Sequence, residues 1–363
     1  MDEDDILHQN DDGNRAFLQA FLARGTMTFK EAQSILAAIF TAQVILENGE
    51  GAEPTAVSDV TREDFESYVS AASAAASPFD MEIRSTTHQV TRERVWALVN
   101  TTSDAVTQLA TLLSAEEMAF VRRVIDAMFD KYNTPRMEML CLDGMQANKL
   151  RTIPRADANP DETQNGDNDE TQTQTQTQTS GLKGLKPTEV ERVMRVMVDA
   201  GWFERSRAGF YSLSPRALLE LRSWLTDAYN DSEEGAWQRV KFCAACREVV
   251  TCGQRCAERD CLVRLHDACA EAFWRGNRNG GAGGRACPQC KKEWTGRHFV
   301  GERAVTETEA YQRGRRRSGR GGRNSIVEQI VDEAEAEAEA EEEGEEEGEG
   351  EGEGEEDEDE DEE

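Results

Sequence analysis

The chain has 363 residues, enough for two or three small domains, and a formal net charge of −31. That charge is local: Val331 to Glu363 holds 23 acidic side chains and no basic one, leaving 49 acidic against 41 basic, or −8, over the remainder. The folded part is thus only mildly acidic, and no apolar run approaches the roughly 18 residues that a membrane span needs.

Residues 1–13 are polar and acidic and read as a frayed start. From Arg15 a helical period places Phe17, Leu18, Phe21 and Leu22 on one face, with Gly25 as the stop. Thr28 followed by Glu31 is a capping-box pattern that opens a second helix, with Ala32, Ile35, Leu36, Ile39 and Phe40 inward. A third helix is predicted from Arg62 to about Ala75 on the spacing of Phe65, Tyr68, Val69 and Ala72. Met81–Val90 and Val95–Val99 then read as two strands, with Thr91–Arg94 able to turn between them. Ser114 and Glu117 cap a further helix that carries Phe120, Val121, Val124, Ile125, Met128 and Phe129. Three helices followed by a hairpin predict a winged-helix domain over residues 14–150; an α+β domain without that specific topology is the alternative.

Residues 155–180, with the Thr-Gln repeat of Thr171–Thr179, hold too little to bury and predict a flexible linker. A second compact unit is expected over 181–230. A helix from Pro187 or Thr188 presents Val190, Val193, Met194 and Met197 and stops at Gly201. Trp202–Glu204 and Phe210–Leu213 form short strands, and Ser214-Pro215 starts a last helix with Leu218, Leu221 and Leu225 buried. Helix, hairpin, helix again predicts a winged helix. Its 8 basic and 6 acidic side chains make no basic stripe, which favours a protein-binding role over a grip on DNA.

From Cys243 to Cys290 the chain reads CAAC-x9-CAERDC-x4-HDAC-x17-CPQC. Eight of nine cysteines fall in this stretch, no signal peptide precedes them, and disulfides are rare in reducing compartments, so metal ligation is favoured over cystines. Seven thiolates and one imidazole make two tetrahedral zinc sites. The order fits the RING and PHD fingers, in which alternate pairs share an ion. Cys243, Cys246, His266 and Cys269 would hold one zinc, and Cys256, Cys261, Cys287 and Cys290 the other. Cys252 is surplus. A PHD finger usually has tryptophan at the position of Arg285, whereas Pro288 follows the seventh ligand as in many RINGs. A cross-brace RING-like domain is therefore expected over 243–294. Beyond it, six arginines between Arg313 and Arg323 precede the acidic run, and 301–363 is expected to be a disordered basic, then acidic, tail.

FLQAFLARGTMTFKEA, MEIRSTTHQVTRERVWALVN, DAGWFERSRAGFYSLSPRALLELRSWL and the cysteine array together resemble the non-structural maintenance of chromosomes element 1 family, over about residues 14–300 apart from the linker. The resemblance implies a nuclear protein of DNA repair and chromosome maintenance, a RING-type subunit of the structural maintenance of chromosomes 5–6 complex. It implies other subunits of that complex as partners, a MAGE-type one among them, with DNA contact at most indirect. It also implies ubiquitin ligase activity with a ubiquitin-conjugating enzyme, no membrane, and the eight zinc ligands already named. Two positions depart from active RINGs in general: Ala245 stands before the second ligand, where a large aliphatic is common, and Lys291 follows the last ligand, where an arginine is common. Phe273 and Trp274 would supply part of the contact surface or pack the short helix on the zinc core. Activity is expected to be weak alone and raised by a partner, and a non-catalytic scaffold is the alternative.

Overall fold

The computed structural model describes residues 3–49, 51–101, 113–152, 183–231, 233, 236–276, 285–317, 326–334 and 336, with backbone alone for 3–11 and 315–317. The expected linker, the Thr-Gln repeat, the last two arginines of the basic run and most of the acidic tail lie outside them.

The first unit is α1 (Glu3–Arg24), β1 (Thr26–Thr28), α2 (Phe29–Asn48), α3 (Arg62–Ala76), β2 (Met81–Thr87) and β3 (Arg94–Asn100). Each predicted start has its physical cause. Thr28 accepts from the Glu31 N–H while Glu31 accepts from the Thr28 N–H, and Thr61 with Asp64 repeats the box at α3. β1 adds a third strand to the expected hairpin, giving an antiparallel sheet in the order β1-β3-β2. Phe17, Phe21, Leu36, Phe65 and Trp96 are buried between helices and sheet, with Phe65 edge-on to Trp96 at 4.7 Å. Leu22, expected inward, is 59% exposed. By length and composition α2 is also apolar enough to cross a membrane, contrary to the sequence expectation; here Ala32, Leu36 and Ala37 bury one face in the core.

The second unit starts earlier than the sequence suggests. It comprises α4 (Ala115–Asp126), a π-helical turn (Ala127–Lys131), α5 (Gly144–Lys149), α6 (Pro187–Asp199), the hairpin β4 (Phe203–Arg205) and β5 (Tyr211–Leu213), and α7 (Pro215–Glu220) and α8 (Arg222–Tyr229). Residues 115–150, assigned above to the first domain, share one hydrophobic core with α6 to α8, whereas the core of the first unit ends at Leu98. All six apolar residues predicted for α4 and its extension are buried, as are Val190, Val193, Met194 and Met197 of α6. Each such burial is worth about 1.5–3 kcal/mol before entropy is counted, which is why the stripe of α4 pairs with that of α6 rather than facing solvent. The Leu185 N–H donates to the Arg151 carbonyl at 3.1 Å, so the segment between them leaves and rejoins the same unit. The expected single helix from Pro215 breaks at Leu221 into two.

The third unit continues the second core without a gap. β6 (Gly253–Arg255) is flanked by β7 (Arg264–Leu265) and β8 (Phe299–Val300), and α9 (Asp267–Gly276) follows β7. Gly253 is required for closeness: a Cβ there would lie 2.3 Å from the Leu265 carbonyl oxygen. The unit extends past the expected limit at 294. α10 (Glu302–Thr306), α11 (Glu309–Arg317) and a helical stretch over 326–334 replace the start of the expected disordered tail. Val305, Tyr311, Val327, Ile330 and Val331 explain the correction, since each finds a buried position in the shared core.

One carboxylate fastens the third unit to the second. Glu138 is 2% exposed; it accepts from Arg264 Nε at 2.7 Å and Nη2, and pairs with Lys241 Nζ at 3.2 Å and Arg255 Nη1 at 3.4 Å. Burial opposes its charge, but the Arg264 bonds and three cations outweigh it and hold the carboxyl down at about 2, while burial pulls Lys241 down to about 8. A depressed carboxyl stabilises the fold above its ordinary pKa and loses that contribution as pH falls through the folded value. Glu138→Gln keeps the shape and removes the charge. Urea unfolding at pH 7 should show it less stable by about 3 kcal/mol, and the gap from wild type should narrow between about pH 4.5 and 2.

Candidate metal centres

The metal groups are built from two knuckles of the same geometry. At the first, the Cys243 N–H donates to the Glu248 carbonyl at 2.8 Å, the Arg247 N–H returns to the Cys243 carbonyl at 2.9 Å, and Phe242 bridges Val249. At the second, the Cys287 N–H donates to the Lys292 carbonyl at 2.8 Å, the Lys291 N–H returns to Cys287 at 3.0 Å, and Ala286 bridges Glu293. The residue after each pair is left-handed, with φ of 65° at Arg247 and 64° at Lys291. That turn lifts backbone N–H groups toward the sulfurs, an arrangement that favours thiolate.

The remaining ligands come from the hairpin of β6 and β7 and from the start of α9. Cys256 follows β6, Cys261 precedes β7, His266 follows it, and Cys269 lies in the first turn of α9. The structure brings all eight together in two groups, Cys243–Cys246–His266–Cys269 and Cys256–Cys261–Cys287–Cys290, with the ligand atoms of each group within 4.8 Å of one another. The groups are crossed, because the second begins before the first is complete. Cys252 and Cys141 belong to neither, and burial pushes the Cys252 thiol up to about 11.

The donor sets fit a tetrahedral thiophilic cation. Cys256 and Cys290 sulfurs lie 3.4 Å apart and Cys261 and Cys287 sulfurs 3.5 Å apart, far beyond a disulfide bond. A tetrahedron with Zn–S bonds of about 2.3 Å has edges of about 3.8 Å, close to these separations. In the first group His266 Nδ1 faces Cys246 Sγ at 3.3 Å and Cys269 Sγ at 3.9 Å. Its Nε2–H donates to the Val249 carbonyl at 3.1 Å, which leaves Nδ1 as the free lone pair. Burial raises the Cys256, Cys261 and Cys269 thiols. Cys243 is also disfavoured by burial, yet the backbone N–H groups of Cys246, His266 and Ala245 oppose it and pull the thiol below its usual range. Where burial resists ionisation, at Cys256, Cys261 and Cys269, a cation would stabilise the thiolates.

Around this centre the other predicted residues separate. Trp274 is buried, 5.4 Å from Trp294, so it packs the module and is not a contact surface; Phe273 is half-buried against it. Ala245, Pro288 and Lys291 are exposed, and Lys291 Nζ folds back to the Pro288 carbonyl at 2.8 Å. Sequence reasoning missed Glu138 and Arg264. Arg264 is fully buried, and Nη1 donates to the Cys261 carbonyl at 2.5 Å and the Val263 carbonyl at 2.9 Å, between the two ligand sets.

Residues 14–221 match the family described as Nse1 non-SMC component of SMC5-6 complex, more than half of the chain. The chain belongs to that family. Residues 243–290 of this Nse1-family chain match a RING-like domain, the span of the two metal groups. Among curated relatives, the non-structural maintenance of chromosomes element 1 homolog of Xenopus laevis is 30% identical over 112 residues, 31% of this chain and 36% of that protein. The homolog of Bos taurus is 22% identical over 238 residues, 65% of this chain and 71% of that protein. The chain thus spans little more than a third of the first relatives that it matches. A solved chain titled "Nse1-Nse3-Nse4 complex" superposes with a TM-score of 0.53 at 20% identity, over 78% of this chain and 96% of that one, which places the fold.

Metal analysis of the purified protein should return two ions per chain. A Cys287→Ser variant should retain one, because the first donor set contains no residue of that pair.

Proposed function

We propose that this protein is the RING-type ubiquitin ligase subunit of an SMC5–SMC6 complex, acting in the nucleus in DNA repair and chromosome maintenance. Its two metal groups would hold zinc. Bound zinc would supply no covalent step; it would fix the first knuckle relative to α9 and the second relative to the hairpin of β6 and β7. What such a module does is orientation: it would seat a ubiquitin-charged conjugating enzyme so that the thioester lies open to the attacking amine. The observation that carries this reading is the crossed pair of ligand sets, mounted rigidly on the second unit through Glu138.

The exposed face of the module explains the modest activity that this reading expects. Ala245 offers one methyl group where a large aliphatic would grip the conjugating enzyme, and Leu262, 42% exposed, is the large apolar side chain open among the described residues of the module. Lys291 is drawn toward its own knuckle instead of reaching outward. A non-catalytic scaffold in the same complex is the second reading, and these two positions favour it. Assays with a panel of conjugating enzymes, with and without the MAGE-type subunit, decide between them. Ubiquitin chains above a Cys256→Ser control, increased when the MAGE-type subunit is present, are expected. Product no greater than that control across the panel leaves the scaffold.

Docking of that MAGE-type partner is assigned to the helical units. Of the eight large apolar side chains exposed among the described residues, six lie between Leu22 and Val90 in the first unit. Ile45 and Leu46 stand next to each other on α2, and a contiguous apolar patch there would suit a protein partner. Leu46, 74% exposed on α2, is the one to change. Leu46→Asp should reduce co-purification of the partner at least tenfold while the metal content stays at two ions.

A further inference from the structure

The turn between β2 and β3, residues 88–93, reaches out of the first unit and touches both others. His88 Nε2 lies 3.0 Å from Glu204 on β4, and that bond raises the imidazole pKa. Gln89, half-buried beside it, enters the segment between the first knuckle and β6. Its Oε1 accepts from the Thr251 N–H at 3.0 Å and the Cys252 N–H at 2.8 Å, and its Nε2 donates to the Val249 carbonyl at 2.9 Å. That same carbonyl accepts His266 Nε2–H at 3.1 Å. One peptide oxygen therefore carries the side chain that ligates in the first metal group and the amide that arrives from another unit.

We infer that Gln89 is a positioning residue for His266, acting through the Val249 carbonyl, so that seating of the first unit and metal retention in the first group form one linked equilibrium. The inference rests on the reading of the two groups as metal centres. Val249 and Val250 are 3% and 2% exposed, so the peptide that joins them is held within the core. With Gln89 removed, the N–H groups of Thr251 and Cys252 lose their partner and the Val249 carbonyl loses one of its two donors. The bond that orients His266 and fixes its tautomer then rests on a looser backbone. Cys256, Cys261, Cys287 and Cys290 make no hydrogen bond to Gln89, so the second group is insulated from the change. Linkage is reciprocal: a partner that presses the first unit into place would tighten the first ion, and loss of that ion would loosen the turn.

The test uses the full chain loaded with zinc, with chelator-driven release followed in time, and a parallel sample loaded with cadmium-113 for NMR. The cadmium resonance of a three-sulfur, one-nitrogen site is distinct from that of a four-sulfur site. Outer partners of a ligating histidine change affinity by about 10–100-fold, and Gln89 acts one bond further out. Gln89→Ala should therefore release one zinc about three- to tenfold faster and shift only the mixed-ligand resonance. Gln89→Glu keeps an acceptor for the two N–H groups but cannot donate to Val249, and should show the same selective loss. Arg94→Ala, in the same hairpin but bonded to Ser85, should behave as wild type. Equal acceleration of both ions, no change in either, or a wild-type Gln89→Glu would overturn the inference. A wild-type chain that binds no ion would instead overturn the reading of the groups as metal centres, and the inference with it.

Discussion

A single buried carboxylate, that of Glu138, governs how this molecule holds its shape. It gathers Arg264, Arg255 and Lys241 at the seam between the helical units and the metal-binding module. Three cations around one anion in a dry seam are tolerable only because each also has another partner. Arg264 reaches backbone carbonyls, Arg255 reaches the Arg136 carbonyl, and Lys241 lies 3.8 Å over the ring of Trp237. Arg264 stands three residues after Cys261 and two before His266. The charge that anchors the module thus sits on the strand that feeds both ligand sets, and orientation of the module is inseparable from assembly of its metal groups.

That coupling suits a protein whose proposed work is placement. A small zinc module has little core of its own and would swing on an ordinary linker. Here Val249, Val263, Leu265, Trp294 and Val300 continue the core of the second unit. The structure is a first unit docked through β2, β3 and the turn between them onto a larger body in which helices and metal groups are continuous, with β2 and β3 lying against α7.

Much of this was legible in the sequence, and the reasons are local. Capping boxes at Thr28 and Ser114, the stripe of α6 and the spacing of the cysteines each state their outcome within a few residues. The crossed pairing was legible because the order of the eight ligands fits the RING and PHD fingers, in which alternate pairs share an ion. What was hidden depends on distance along the chain. α4 carried a correct stripe, but nothing nearby says that its partner is α6, some sixty residues on. Glu138 and Gln89 are ordinary polar residues until folding sets them against Arg264 and Val249, 126 and 160 residues away. The helices after Gly301 were hidden by the composition that follows them: a few apolar residues suffice to dock a helix, and they are easily overlooked beside a run of charge.

The way in which the chain between Arg151 and Leu185 departs and returns at one point has an evolutionary consequence. Because the two ends are joined by a backbone bond inside the second unit, the length between them is free of any span that it must bridge. Closing a longer loop costs only about 0.6 kcal/mol per doubling. Homologues can therefore differ widely in this stretch, by repeat expansion or loss, while the body on either side keeps its register. A cut made there would leave two fragments still gripping each other through α4 and α6.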